Sequence, residues 1–152
     1  MTESIQAKLA APFEVHQIHW RVGAMTQDKT KCIPLAYLDA RNVMDRLDSV
    51  VGVENWQCRY PFAGCCDIAI RYDGEWVWKS NGAGESDIEA EKGQYSDAFK
   101  RAAVLWGIGR YLYDLPNTWV ELENKKLSGA TIKNLSDRLA VWQDKKFKSG
   151  EK

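Results

Sequence analysis

The 152-residue chain lacks an excess of charge of either sign, a long apolar run and any C-x-x-C pair. Its 21 Lys and Arg balance 21 Asp and Glu, so the formal net charge is zero. A zero net charge argues, at first sight, against a nucleic-acid partner. No apolar run approaches the roughly 18 residues of a membrane helix, so no membrane partner is expected. The first eleven residues also lack the apolar stretch of a secretory signal, which predicts a cytoplasmic protein.

Cysteine is sparse and poorly placed for disulfides. The adjacent residues Cys65 and Cys66 are a weak disulfide framework, which favours reduced thiols in a cytosolic protein. The alternative is a metal site that combines cysteines with His16 or His19. His16-x-x-His19 has a helical ligand spacing, but the segment around it has the alternation of a strand. The four thiols in question are Cys32, Cys58, Cys65 and Cys66.

The common catalytic motifs are also absent. The sequence contains no phosphate-binding G-x-x-x-x-G-K-[ST] loop, no G-x-S-x-G elbow and no H-E-x-x-H helix. A nuclease needs clustered carboxylates to hold metal ions. Asp67, Asp73 and Glu75 are close in sequence, but the predicted hairpin separates them. We therefore predict no catalytic residue, no metal and no cofactor, and keep a nuclease as an alternative.

What is present is an α+β pattern that fits one domain with a C-terminal tail. Apolar residues alternate in the predicted strands and recur at three- and four-residue spacing in the predicted helices. The two strands of the first hairpin flank a polar, basic tip at residues 26–31. The predicted order is an N-terminal helix (4–11), strands 14–22 and 32–38, a helix (39–51), a three-stranded antiparallel meander (56–60, 66–72, 75–79), a long helix (92–112) and a C-terminal helix (131–147).

The Asp73-Gly74 dipeptide is the sharpest local signal in the chain. A D-G pair between alternating runs predicts a two-residue hairpin turn. Such a turn places Tyr72 opposite Glu75 and Arg71 opposite Trp76, where the guanidinium can contact the indole. The same register brings the apolar residues of the two strands side by side, as Ile70 with Val77 and Ala69 with Trp78.

The long helix predicts two different faces. One stripe is apolar and predicts the core, namely Tyr95, Ala98, Phe99, Ala102, Leu105, Trp106, Gly109, Leu112 and Tyr113. The opposite side carries cations separated by small residues, namely Lys92, Ser96, Lys100, Ala103, Gly107 and Arg110. A solvated face usually mixes charges of both signs. After Glu91 this helix holds one acid, Asp97, against four cations, so an anion-binding face stands as an alternative to a merely solvated one.

Charge is segregated along the chain. From Lys125 onward there are eight cations against three acids, whereas the acids concentrate in residues 39–54, 67–75 and 85–91. The basic end suits a solubilising tail. The zero total therefore conceals locally basic regions.

Residues 12–120 resemble the DNA-binding domain of the Rad52/Rad22 family, and especially its short phage members. The most specific segment is Asp97–Ala103 followed by Trp106–Leu112, because Lys-Arg before an aromatic-Gly-x-Gly step is the family's signature helix. Further matching segments are His19–Gly23, Ala36–Arg41, Val43–Leu47 and Gly52 with Asn55-Trp56.

The resemblance implies ATP-independent annealing of single-stranded DNA in recombination and repair, by a homo-oligomeric ring of around ten or more subunits. It implies DNA in a basic groove, with Lys100 and Arg101 as the main phosphate ligands. Arg21 and Tyr37 correspond to groove-lining positions, and Arg41 and Lys31 to weaker ones. Residues 1–120 would bind DNA and oligomerise, and residues 121–152 would form a basic helix and tail.

The resemblance also implies a phage- or prophage-encoded protein in a bacterial cytoplasm, with a phage exonuclease or the host single-strand-binding protein as candidate partners.

Two departures from the family's pattern matter. Val104 occupies a position where eukaryotic members carry a further Arg, and Arg110 is the predicted substitute. The acidic connection at Glu85, Asp87 and Glu89 puts a second, outer DNA site in doubt. A nuclease and a module that docks an acidic partner are the alternatives.

Overall fold

Four α-helices and two three-stranded antiparallel sheets make up the part of the chain that the computed structural model describes, residues 4–82 and 91–149. This is the predicted α+β class. The helices are α1 (Ile5–Ala10), α2 (Ala40–Val51), α3 (Glu91–Leu105) and α4 (Gly129–Ser149). The strands are β1 (Ile18–Met25), β2 (Lys31–Leu38), β3 (Trp56–Arg59), β4 (Cys65–Tyr72), β5 (Glu75–Gly82) and β6 (Val120–Glu121). None of the described helices has the length and hydropathy of a membrane span.

The chain divides into two compact units. The meander unit consists of the chain up to Ala11 together with Asp39–Tyr111, and it contains α1, α2, α3 and the sheet β3-β4-β5. The hairpin unit consists of Pro12–Leu38 together with the chain from Leu112 onward, and it contains the sheet β1-β2-β6 and α4.

The predicted register of the meander hairpin is confirmed. Tyr72 pairs with Glu75 and Arg71 with Trp76, and the register continues regularly to Cys65 opposite Gly82. Asp73 and Gly74 both have positive φ, 53° and 82°. This is the backbone that a type I′ turn requires, and it explains why Asp-Gly fixes the register.

The central strand β4 is buried on both faces. Its residues from Cys66 to Ile70 are all buried, whereas every residue of β5 up to Asn81 is exposed. Helix α3 packs on β4 and β5, and its Phe99 ring lies 6.0 Å from that of Trp56 on β3. The predicted packing role of Trp106 agrees with its indole N–H, which donates to the Ile68 carbonyl at 3.2 Å.

A half-buried guanidinium, that of Arg46, ties α1 to α2. Ser4 accepts a hydrogen bond from the Ala7 amide and begins α1, and Pro12 lies just beyond its end. At that end, Arg46 Nη1 donates to the carbonyl oxygens of Leu9 and Ala11 at 2.9 and 2.8 Å. Burial lowers the pKa of this guanidinium from its ordinary value. Arg46 therefore satisfies carbonyls that a helix end leaves without intrahelical partners.

The start of the first hairpin differs from its prediction. Alternation predicts a strand from residue 14, but Val15–Gln17 form a 3-10 turn and β1 begins at Ile18. The Gln17 side chain accepts from the Glu14 amide at 3.0 Å, in a capping box that closes the turn. Local side-chain hydrogen bonding thus replaced a strand that the apolar pattern alone suggested.

The core of the hairpin unit lies on one side of β1 and β2. Ile18, Cys32 and Leu38 are buried there, and α4 buries Leu135 and Leu139. The Gln143 side chain of α4 is also buried and donates to the Phe13 carbonyl at 3.1 Å. The opposite side of the hairpin is therefore the more exposed one.

The extent of the long helix is the main error of the sequence prediction. Helix α3 ends at Leu105 rather than near Leu112, because Gly107 and Gly109 have φ of 92° and 73°, which a helix cannot contain, before a 3-10 turn at Arg110–Asp114. The predicted faces of the helix are also wrong at several positions. Ala103, expected on the basic face, is fully buried. Three expected core residues are exposed, namely Tyr95, Leu105 and Tyr113.

Candidate nucleic-acid interface

Lys100 and Arg101 stand in the second half of α3, next to the buried residues Phe99 and Ala102. Lys100 is half-buried and Arg101 is exposed. A rigid helix that packs on a sheet holds the two cations in fixed positions on the meander unit. Preorganised cations of this kind bind the phosphates of a polyanion without a large ordering cost.

The surroundings of Arg101 tie it to both the helix and the sheet. Its Nε donates to Asp97 Oδ2 at 3.3 Å, in an i,i+4 ion pair with both side chains about half exposed. Its backbone carbonyl accepts a hydrogen bond from the Asn81 side chain of β5 at 3.3 Å. An exposed ion pair contributes little net energy. Arg101 can therefore exchange Asp97 for a phosphate at low cost.

The structure does not place the other predicted cations of this unit on a single helix face. Arg110 is exposed, but it follows Gly107 and Gly109, so the prediction that it shares a helix face with Lys100 is wrong. Gly107, expected to leave room for a phosphate, faces Ala10, and a Cβ at Gly107 would lie 3.5 Å from that side chain. Lys92 falls in the first turn of α3, and its side chain is outside the described part. Arg41 is exposed in the first turn of α2.

The hairpin unit carries a second cluster, formed by His19, Arg21 and Tyr37. His19 on β1 is paired directly with Tyr37 on β2, and their rings lie 5.4 Å apart. The Arg21 guanidinium lies 6.0 Å from the Tyr37 ring centroid. All three side chains point away from the buried face that holds Ile18 and Leu38. Sequence reasoning missed His19 as a member, because alternation gives the face of a residue but not its cross-strand partner.

Lys31 stays apart from this cluster. It begins β2 at the hairpin tip, four residues before Leu35, the partner of Arg21, which corresponds to about 13 Å along a strand. At the same tip, Asp28 accepts hydrogen bonds from the hydroxyls of Thr26 and Thr30, both at 2.7 Å. These bonds lower the pKa of Asp28 to about 2. The predicted basic tip is therefore an ordered turn that contains a persistent negative charge beside Lys29 and Lys31.

The alternative chemistry finds little support in the described residues. Residues 4–82 and 91–149 contain no group of three or more His, Cys, Asp or Glu side chains that could hold a metal ion. His16 lies in the 3-10 turn, and His19 contacts Tyr37 instead. Of the carboxylates considered for a nuclease, Asp67 is buried and pairs with Arg59 at 2.9 Å, and Asp73 lies in the hairpin turn.

The four cysteines, as expected, are free thiols. Cys58 is exposed on β3, whereas Cys66 on β4 is buried. A hydrogen bond from the Cys66 thiol lowers the pKa of Cys58 to about 7 and raises that of Cys66. Burial, and then the nearby Cys58 and Cys66, raise the pKa of the Tyr60 hydroxyl.

Comparison with known proteins places this geometry in context. A family model described as the Rad52/22 family double-strand break repair protein matches residues 1–69 and 63–131. The second match includes α3 with Lys100 and Arg101, and the first includes the hairpin with Arg21 and Tyr37.

Two curated relatives are single-stranded DNA-binding proteins named DdrA. The protein from Deinococcus deserti is 38% identical over 130 residues, and the protein from Deinococcus radiodurans is 35% identical over 127 residues. The matches cover 80% of this chain but 63% and 61% of the two relatives. The chain therefore spans about three fifths of the length of these proteins.

Proposed function

Because the chain belongs to the Rad52/22 family of double-strand break repair proteins, we propose that it binds single-stranded DNA and anneals complementary strands without ATP. The observation that carries the proposal is the pair formed by half-buried Lys100 and exposed Arg101 on α3, within a sequence 38% identical to a protein named for single-stranded DNA binding. The protein acts by binding and holding strands, with no covalent step.

Phosphate contacts would supply the affinity. Cations that replace condensed counterions bind any sequence and weaken steeply as salt rises. Arg101 leaves Asp97 for a phosphate, and Lys100 adds a second contact on the same helix. The proposed DNA-binding residues are Arg21, Lys31, Tyr37, Arg41, Lys92, Lys100, Arg101 and Arg110.

The hairpin cluster would contribute stacking. Tyr37 and His19 offer aromatic rings beside the Arg21 cation. A base that stacks on an aromatic side chain is held without a preference for its identity. Stacking of this kind suits annealing, because it leaves the hydrogen-bonding edges of the base available for a complementary strand.

Assembly would multiply these local sites. The formal charge of one chain is zero, so binding must come from positions where positive charge is concentrated. A homo-oligomeric ring of around ten or more copies repeats each basic cluster along one strand of DNA. We propose that residues 1–120 bind DNA and assemble, and that residues 121–152 form a basic extension. A recombination exonuclease or a single-strand-binding protein in a bacterial cytoplasm is the partner that suits this activity.

A strand-annealing assay tests the proposal. Two complementary oligonucleotides, one carrying a donor fluorophore and the other an acceptor, are mixed with the protein in EDTA without ATP. Accelerated annealing of strands that keep their full length is expected, together with a native mass of ten or more chains. Strands that shorten when a divalent metal is added would instead support a nuclease. Displacement of DNA by polyglutamate at equal charge would support a module for acidic proteins.

A further inference from the structure

Lys79 extends from β5 on the side of the sheet that packs against α3. Its register partner on β4 is Ile68, a fully buried residue of the core beneath the helix. Side chains of directly paired residues share one face of a sheet. The Lys79 stem therefore begins on the α3 face, although β5 itself is an exposed strand.

Trp106 fixes where the Lys79 ammonium lies. The Lys79 Nζ is 5.0 Å from the centroid of the Trp106 ring. That indole is itself held in place, because its N–H donates to the Ile68 carbonyl at 3.2 Å. A cation over an indole face is attracted by the electrostatic field of the ring. The contact limits the rotamers of a side chain that would otherwise sample many.

Asn81 links the same stretch of β5 to Arg101. It lies two residues after Lys79 on the same face, and its side-chain amide donates to the Arg101 carbonyl. Lys79 thus contacts Trp106, the residue just after the helix end, and Asn81 contacts Arg101, five residues earlier, which corresponds to about 7.5 Å along the axis of a helix. The cation of Lys79 borders the part of α3 that presents Lys100 and Arg101.

We propose that Lys79 is a further phosphate-binding residue of the α3 site. The inference rests on the proposed function, and it assigns a residue of the sheet to a site that the sequence predicted from the helix alone. An ammonium is a compact charge with three donors that accepts many phosphate orientations. Lys79 would widen the cationic surface from the helix onto the edge of the sheet.

Equilibrium binding of fluorescein-labelled oligo-dT tests the inference, measured by anisotropy over a series of salt concentrations. Lys79→Gln is expected to weaken binding about three- to tenfold and to reduce the slope of log affinity against log salt by about 0.7, the share of one single-strand phosphate contact. Lys79→Arg should retain both. Lys133→Gln, on a lysine of α4 with 79% side-chain exposure, is the matched control and should change neither quantity.

The outcomes separate the inference from the function on which it rests. Unchanged affinity in Lys79→Gln, while Arg101→Gln binds weakly, overturns the role of Lys79 and leaves the proposed function standing. Equal losses in Lys79→Gln and Lys79→Arg also overturn it, because packing rather than charge would then be responsible. If the wild-type protein does not bind the oligonucleotide at all, both ideas are wrong.

Discussion

The Arg46 guanidinium and the Ala11 carbonyl oxygen lie 2.8 Å apart, although 35 residues separate them in the chain. The same nitrogen reaches the carbonyls of Leu9 and, at 3.3 Å, Lys8. One side chain of α2 therefore caps the whole C-terminal turn of α1. A six-residue helix is too short to persist alone. Its order depends on this contact and on the buried Leu9.

Replacement of Arg46 by Met should destabilise the protein strongly. The substitution keeps the apolar stem but leaves three carbonyls without their charged donor, for which we expect a loss of about 2–4 kcal/mol in the free energy of unfolding. Urea unfolding followed by circular dichroism measures it. Arg41→Met, on an exposed arginine of the same helix, should change the stability by less than about 0.5 kcal/mol. Equal effects of the two substitutions would contradict the capping role.

Single replacements of Lys100 and Arg101 by Gln should each weaken binding to oligo-dT about tenfold, because a charge-assisted hydrogen bond contributes about 1.5 kcal/mol. Each should also lower the salt slope by about 0.7. Anisotropy titrations at several salt concentrations give both numbers, and native mass measurements show whether assembly is intact. Normal affinity in an intact double variant would remove α3 from the DNA site.

Tyr37 distinguishes stacking from phosphate binding. Tyr37→Ala should weaken single-strand binding about 5- to 100-fold, since one stacked base contributes about 1–3 kcal/mol. The salt slope should stay unchanged, because no cation is removed. Tyr37→Phe should bind like the wild type. Tyr113→Ala, at a tyrosine of the same unit with 72% exposure, serves as the control, and a similar loss there would point to an unspecific effect.

Asp67 makes the free energy of unfolding depend on pH in the acidic range. Hydrogen bonds from the Ser80 hydroxyl and then from Arg59 lower the pKa of this carboxyl from its ordinary value of 3.8. A carboxyl with a lowered folded-state pKa stabilises the protein above its unfolded pKa, and the contribution is lost as pH falls through the folded value. Asp67→Asn should therefore flatten the fall in unfolding free energy that occurs as the pH drops below the ordinary pKa of this carboxyl. Asp137→Asn, at an exposed pair on α4, should leave the curve unchanged.

Cys58 should be the most reactive thiol of the described residues near neutral pH. With its pKa lowered to about 7 by the Cys66 hydrogen bond, about half of the thiol is ionised at pH 7. Alkylation by iodoacetamide, followed by peptide mass analysis from pH 5 to 10, should show a midpoint near pH 7. Cys66→Ala removes the donor, and the midpoint should then rise towards the ordinary thiol value of about 8.5. A midpoint that does not move would refute the hydrogen bond as the cause.

Local signals in the sequence predicted much of the fold. Asp73-Gly74 determined a whole strand register, because a two-residue turn allows only one pairing. The Arg71–Trp76 contact followed from that register and is present, with the guanidinium 5.5 Å from the ring. The end of α3 was not predicted correctly, because the apolar pattern continues past Leu105 while the positive φ angles of Gly107 and Gly109 end the helix.

Only part of the candidate site could be predicted from the sequence. Lys100 and Arg101 stand together because they are adjacent on one helix. Lys79 depends on contacts between β5 and α3, and Arg46 reaches a helix 35 residues earlier. Periodicity reports which face of an element is apolar, but not which element covers that face. These tertiary contacts could therefore be seen only in the folded chain.

The position of Lys79 on β5 has a second consequence. Within the described residues, β5 has a hydrogen-bonded neighbour on one side only, β4, and its other side is an open edge. Open edges recruit strands from other molecules and begin aggregation. A lysine in the middle of such an edge opposes this, because an incoming strand would have to bury its charge. Lys79 would thus prevent strands of other molecules from pairing with the open edge of the sheet.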